Sequence, residues 1–210
     1  MATVEAALLT AALGGVAALL GHRRALALIV LWAVAGVTLA LLRPARLRDT
    51  VTLARETRAF IAALGLLPLA IPPLSAWAER TGLWPLPGGA TLHWTGVALT
   101  AAGLAIRIHG MTQLGVRFTP NLVIQPGHVL ETRGLYRHIR HPGYLGAWVA
   151  ALGGAIAFGS ILGLALALIF GALLRLRARR EEDLLEQHFG EAWRVYCART
   201  GAFLPRFIGS

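Results

Sequence analysis

Apolar residues occur in long blocks separated by short, arginine-rich connections. A helix that crosses a bilayer needs about 20 mainly apolar residues at about 1.5 Å of rise each. Six blocks approach that length: residues 4–21, 25–42, 59–77, 92–111, 144–158 and 161–174. The pattern predicts an all-α integral membrane bundle of about six spans. Arg23 and Arg24 follow the first block instead of preceding it, which argues against a cleaved signal peptide. Very little chain separates the first two blocks, so they form an antiparallel hairpin. Pro68, Pro72 and Pro73 predict a kink near the end of the third. The last two blocks are short and joined only by Gly159 and Ser160, which makes them a second hairpin. Pro142 suits the first turn of its leading helix.

Composition agrees with that pattern. Of 210 residues, 56% are hydrophobic and 14% charged, against about 25% charged in a soluble domain. A soluble enzyme, a secreted disulfide scaffold and a disordered tail are excluded. Twenty basic residues, all arginine, face ten acidic ones, for a net charge of +10. Nucleic acid is the usual partner of so basic a chain, but these arginines lie between apolar runs, and no nucleic-acid partner is expected. The single Cys197 excludes an internal disulfide and a multi-cysteine zinc site. Arginines concentrate in segments 43–58, 111–142 and the tail from Arg175. These fall on one side together with the N-terminus, and the positive-inside rule makes that side cytoplasmic. Arg23 and Arg24 are the dissenting charges. The all-Arg, Ala/Leu/Gly-rich composition points to a bacterial or archaeal source.

Residues 112–141 contain no span, and loops longer than about 12–15 residues usually have a function of their own. Phe118, Leu122, Val123, Ile124, Leu130, Leu135 and Tyr136 are spread through this one, which argues against disorder and marks it as the site. Arg107, about a turn inside the end of span four, either snorkels to the headgroups or stands as a fixed cation facing the same chamber. After span six the helix runs on through Arg175, Arg177, Arg179 and Arg180 to Glu181, Glu182 and Asp183. Anchoring explains the arginines; it does not explain adjacent glutamates at the headgroup level. Leu185, Phe189, Trp193 and Tyr196 continue the helical spacing as one apolar stripe, read as a lid over the loop.

The densest constellation is Gly134-Leu-Tyr136-Arg-His138-Ile-Arg140-His141-Pro142-Gly-Tyr144-Leu-Gly146, at the mouth of the second hairpin. The helix N-terminus there favours an anion. His138 and His141 lie three apart, but no third or fourth ligand is spaced to join them, and no metal is expected.

These pieces, in this order, resemble the isoprenylcysteine carboxyl methyltransferase family and its phospholipid-methyltransferase relatives. Leu114-Gly115-Val-Arg117-Phe118 closes the preceding span, then come Gly127-His128-Val-Leu130, Gly134-Leu-Tyr136 and the Arg140-His141-Pro142-x-Tyr144-x-Gly146 core. Arg177, Glu181 and Glu182 follow the hairpin, then Leu185, Phe189-Gly190, Tyr196 and Pro205. The resemblance covers roughly residues 103–207, and the first three spans carry no matching motif. It implies an integral membrane enzyme that uses S-adenosylmethionine to methylate a lipophilic acceptor at the cytoplasmic interface. His128, Leu130, Tyr136, His141, Pro142, Tyr144 and Glu182 would bind the cofactor, with Arg107, Arg140 and Glu181 catalytic. Trp193 stands where the family usually has tyrosine. Residues 1–90 would then be an N-terminal span region. Residues 91–210 would be the catalytic region, made of span four, the loop 112–141, the hairpin 142–176 and the C-terminal helix and tail.

The chemistry of the residues agrees. A glutamate can pair with the cofactor's ammonium, Arg140 or His128 can hold its carboxylate, and Tyr136, Tyr144 or Phe118 can pack its adenine or sulfonium. Arg107 and Arg140 favour an already ionised acceptor, such as the carboxylate of an isoprenylcysteine-like lipid. An amine acceptor would need a base and a thiol would need a nearby cation, so phospholipid N-methylation and thiol S-methylation stay open. An NADPH-dependent membrane reductase of the sterol type and a non-enzymatic membrane protein are the readings from other classes.

Overall fold

The computed structural model describes residues 2–41, 51–52, 57–115, 123–124 and 130–206. Eight α-helices make up nearly all of it: α1 (Ala2–Leu13), α2 (Val16–Gly21), α3 (Arg23–Leu41), α4 (Arg58–Thr81), α5 (Ala90–Leu114), α6 (Pro142–Ala157), α7 (Ile161–Phe189) and α8 (Glu191–Arg199). The one ladder is two residues long: β1 (Val51–Thr52) pairs antiparallel with β2 (Val123–Ile124), Val51 opposite Ile124. It joins two of the arginine-rich connections at one end of the bundle.

Among the described residues three helices, α3, α4 and α7, are long and apolar enough to cross a membrane. The other three expected blocks fall short of that length or apolarity, for local reasons. The first block is split, because Gly14 and Gly15 both adopt positive φ (94° and 131°) and end α1 before α2 begins. The Arg80 guanidinium lies against Gly14, where a side chain would stand. α6 has only 16 residues. α5 has the length, but polar residues from His93 to His109 dilute its apolar character. α4 keeps Pro68, Pro72 and Pro73 inside an unbroken helix. Each proline removes one backbone donor, so the carbonyls of Leu64, Pro68 and Leu69 lose their usual partners.

The tightest packing is between α5 and α6, which run antiparallel. Gly96, Gly103 and Gly110 recur at sevenfold spacing on α5, and Gly146 and Gly153 answer them on α6. A Cβ on Gly103 would lie 2.6 Å from the Gly146 carbonyl oxygen, and one on Gly153 would lie 2.5 Å from the Thr100 nitrogen. The two backbones therefore touch. Thr100 Oγ1, buried between them, donates to the Gly96 carbonyl at 3.1 Å or the Ala150 carbonyl at 3.3 Å. Lipid tails offer no hydrophobic drive between helices, so small residues that permit close van der Waals contact are what hold such a pair.

The α6–α7 hairpin turns at Gly159, with φ of 56°. Ser160 caps α7 by accepting from the Gly163 N–H at 3.0 Å. Gly163 packs on Ser75 of α4 and Ala155 of α6. At this same end Arg24 donates to Glu79 at 2.6 Å and to the Ala157 carbonyl at 2.6 Å, while His22 Nε2 lies 3.2 Å from the other Glu79 oxygen. One of the two dissenting arginines is thus neutralised inside the protein, where it also satisfies a carbonyl at the C-terminus of α6.

α7 continues for 29 residues, as the unbroken charge run predicted. The apolar stripe beyond it does not stay on one helix. Gly190, at φ 54°, ends α7, and α8 follows as a separate helix that buries Trp193 and Tyr196.

Replacing Gly103 by Ala should destabilise the protein by about 1–3 kcal/mol, the usual cost of overpacking, whereas Gly36→Ala on α3, with open space around it, should not. Thermal unfolding of both variants in detergent, followed by tryptophan fluorescence, checks this.

Candidate functional site

The candidate site lies at the N-terminus of α6, a helix that begins where the position of Pro142 predicted. His141 precedes the helix and Pro142 occupies its first turn. The strand-like segment before it is pinned by the C-terminal tail. The Arg140 N–H donates to the Gly201 carbonyl at 2.8 Å, the His141 N–H to the Ala202 carbonyl at 3.0 Å, and the Gly201 N–H to the His138 carbonyl at 3.2 Å. These bonds fix where the Arg140 and His141 side chains leave the backbone.

Both side chains meet α7. Arg140 Nε donates to Glu182 Oε1 at 2.9 Å, and a second guanidinium nitrogen donates to the Thr200 carbonyl. His141 Nε2 lies 3.0 Å from the same Glu182 oxygen, and its Nδ1 lies 3.8 Å from Glu181. Tyr144, one turn into α6, donates its hydroxyl to Glu181 Oε2 at 2.8 Å and accepts from Arg177 Nε at 3.0 Å. The His141 and Tyr144 rings stack at 5.4 Å with only 5° between their planes. Arg140 and Glu182 are 12% and 17% exposed. Removing one partner of a pair this far from water costs about 3–5 kcal/mol.

A second layer holds this one in place. Tyr136, in the short 3₁₀ turn Gly134–Arg137, donates to the Gly110 carbonyl at 3.3 Å, and Tyr196 donates to the Tyr136 carbonyl at 2.7 Å. Gln113 Oε1 accepts from the Leu135 N–H at 3.1 Å, fixing the turn to the end of α5. Trp193 lies under the Arg140 guanidinium, 6.0 Å from its carbon. Arg107 donates to the Gly143 carbonyl at 3.0 Å, which places a cation beside the first turn of α6.

Of the residues expected at the site, Arg140, His141, Pro142, Tyr144, Glu181 and Glu182 come together directly. Arg107 and Tyr136 border them through the backbone of α6 and α5. Leu130 is half-buried and has no polar group to join the network. His128 lies outside the described residues. His138 is exposed. Among the described residues no group of three His, Cys, Asp or Glu could hold a metal.

Sequence reasoning took Arg175 for a membrane anchor and passed over Thr200 and Phe203. Arg175 Nη1 is buried without a hydrogen-bond partner among the described residues, 4.0 Å from Glu182. Phe203 packs on both the Arg175 guanidinium (5.9 Å) and the His141 ring (6.0 Å). The tail carries no chemistry-bearing motif, so only the backbone pairing reveals it.

The fold and site define a class: an α-helical membrane protein whose ionic cluster sits where the glycine-packed α5–α6 pair meets the long helix α7. The isoprenylcysteine carboxyl methyltransferase (ICMT) family model matches residues 96–187, and this region of the chain is similar to that family. The human protein-S-isoprenylcysteine O-methyltransferase is 32% identical over 152 residues, 68% of this chain and 53% of that protein. The protein of the same name from Schizosaccharomyces pombe is 28% identical over 106 residues, 49% and 45% of the two chains. A mouse delta(14)-sterol reductase is 37% identical over 76 residues, 35% of this chain and 18% of the reductase. This chain spans about half the length of the curated methyltransferases it matches. A solved structure of a eukaryotic intramembrane Ras methyltransferase superposes with a TM-score of 0.61 at 19% identity, covering 89% of this chain and 66% of that one, a likeness of fold. All these relatives with a stated source are eukaryotic and lend no support to the microbial source read from composition.

Burial pushes the Tyr136 and Tyr196 phenols above the ordinary tyrosine value of about 10. The folded state therefore keeps protons that the unfolded state releases, and stability should fall as pH rises above about 10. In an alkaline titration, phenolate absorbance from these two residues should appear only as helicity is lost. Ionisation of all three tyrosines before unfolding would contradict it.

Proposed function

We propose that the chain is an S-adenosylmethionine-dependent methyltransferase that esterifies the carboxylate of an isoprenylcysteine-like, lipid-tailed acceptor, with residues 91–210 carrying the activity and the site facing the cytoplasm. The observation that carries the reading is the pairing of Glu181 and Glu182 with Arg140, His141 and Tyr144 at the start of α6. The match of residues 96–187 to the ICMT family model supports the reaction class.

The donor set fits the cofactor. It offers carboxylates for an ammonium, guanidinium groups for a carboxylate, and stacked rings for an adenine. The orphaned Arg175 nitrogen beside Glu182 is a donor awaiting an acceptor. In this reading Arg140 and Arg175 hold the cofactor's carboxylate, Glu182 its ammonium, and Tyr136, His141, Pro142 and Tyr144 line its body, with His128 and Leu130 completing the pocket. The bound cofactor supplies an electrophilic methyl group on a sulfonium. Arg107, anchored by one nitrogen on the Gly143 carbonyl, presents its charge to the acceptor carboxylate. Glu181, held by Tyr144 and close to His141, counters the positive charge across the site. The acceptor is ionised from the outset, so these residues need only align the reacting atoms and exclude water. The acceptor's hydrocarbon tail stays in the bilayer.

A second reading, reduction with a nicotinamide cofactor, is favoured by the mouse sterol reductase match over 76 residues. Calorimetry on the detergent-purified protein separates the two. The methyltransferase reading expects saturable binding of S-adenosylmethionine and S-adenosylhomocysteine, weakened about tenfold or more in Arg140→Ala. Binding of NADPH in their place would establish the reductase. Glu181→Gln keeps an oxygen for Tyr144 and should leave the fold intact while lowering turnover about a hundredfold. With an N-acylated S-prenylcysteine as acceptor, the product should release methanol in base, as an ester does. A base-stable methyl group would move the assignment to nitrogen or sulfur.

A further inference from the structure

Far from the ionic cluster, at the opposite end of the bundle, a groove of about 520 Å³ runs between α3 and α5. Leu26, Val30 and Leu31 form one wall and Trp94, Ala98 and Ala101 the other. The wall on α3 covers six residues, about 8 Å at helical rise. Val30 and Trp94 remain 59% and 46% exposed, so the groove opens sideways to the surrounding lipid.

Arg23 stands on the same face of α3 as this wall. Residues 23, 26, 27, 30 and 31 follow the i, i+3, i+4, i+7 spacing of one helical stripe. Unlike its neighbour Arg24, Arg23 is exposed and has no ion pair or hydrogen bond among the described residues. Two further features make its position costly. It lies in the first turn of α3, where the helix dipole disfavours a cation, and at the end of the bundle poorer in arginine. Helical side chains lean toward the N-terminus, which carries this guanidinium from the top of the groove to headgroup depth. Trp94 stands at the same level on the other wall, as interfacial tryptophans do.

We propose that this groove holds an acyl chain of an anionic phospholipid from the leaflet opposite the catalytic end, with the lipid phosphate paired to Arg23. An apolar trough headed by a free guanidinium complements such a lipid in both of its parts. Arginine takes a phosphate bidentately, and a phosphate with net negative charge offsets the unfavourable helix-end position. The site is separate from the ionic cluster and does not depend on what that cluster catalyses.

Native mass spectrometry of the detergent-purified protein tests it, with phosphatidylglycerol and phosphatidylcholine of identical acyl chains as probes. The wild type should retain phosphatidylglycerol about tenfold more tightly. Arg23→Gln should abolish that preference, and Arg23→Lys should keep part of it. Arg80→Gln, which removes another exposed cation at the same end but off the groove, should change nothing. Ala98→Trp should fill the trough and lower retention of both lipids, with circular dichroism confirming its fold; should it not fold, Arg23→Gln decides alone. Equal retention of the two lipids by the wild type overturns the proposal. So does a preference that survives Arg23→Gln, or a folded Ala98→Trp that binds as before. A lipid-free dimer burying this face would also overturn it.

Discussion

Two helix backbones in direct contact set the geometry on which everything else depends. α5 and α6 approach so closely that five glycines lie along their seam, and the contact fixes their register as well as their distance. Because the helices are antiparallel, the C-terminal end of α5 meets the N-terminal end of α6. Arg107 therefore reaches the Gly143 carbonyl, and the Gly110 carbonyl is presented to the Tyr136 hydroxyl. A shift of one turn along the seam would move Arg107 by about 5.4 Å and break both contacts. In a bilayer, where burial of apolar surface gives little preference for one helix partner over another, the glycines are the means by which sequence specifies a site.

The ionic cluster is expensive on purely structural grounds. Two glutamates, three arginines (Arg140, Arg175 and Arg177) and a histidine meet beside the N-terminus of α6, mostly withdrawn from water, and their attraction repays desolvation only because the hydrogen bonding is nearly complete. Apolar side chains would close the same end at lower cost. The near-completeness also has an exception, the Arg175 nitrogen beside Glu182. A self-paired cluster of mixed charge with one donor left over is suited to a ligand that itself carries both charges. Such a ligand can exchange partners with the cluster and leave fewer groups bare.

What could be read from the chain depended on whether a feature is local. The position of Pro142, the Gly159 turn and the unbroken run from span six to Glu182 are all consequences of neighbouring residues, and the structure has each of them. So does the meeting of Arg140, His141 and Tyr144 with the glutamate pair, because a hairpin joins their helices and leaves few ways to arrange the ends. The first block is not one continuous helix, because apolar content says nothing of φ and Gly14 and Gly15 interrupt it regardless of hydropathy. The single stripe from Leu185 to Tyr196 is likewise interrupted at Gly190, since helical spacing persists in the sequence across a break between two helices. Thr200 and Phe203 were illegible because they act through carbonyls and a ring face, which no pattern of residue types announces.

Arg23 and Arg24 show how much a charge's meaning lies in its partner. In the sequence they are identical objections to the inferred orientation. In the structure Arg24 turns inward to Glu79 and the end of α6, so its charge is compensated and its cost is that of a buried pair. It ties α3, α4 and α6 together at the end remote from the ionic cluster, complementing the glycine seam that ties α5 to α6 along its length. The positive-inside rule counts arginines and not net charge, so Glu79 does not cancel Arg24 in that count. What Glu79 and the α6 carbonyl offset is the cost of holding Arg24 at that end of the bundle. Of the two, only Arg23 is left without a protein partner among the described residues, and beside an apolar trough it is the cation that a lipid phosphate can compensate.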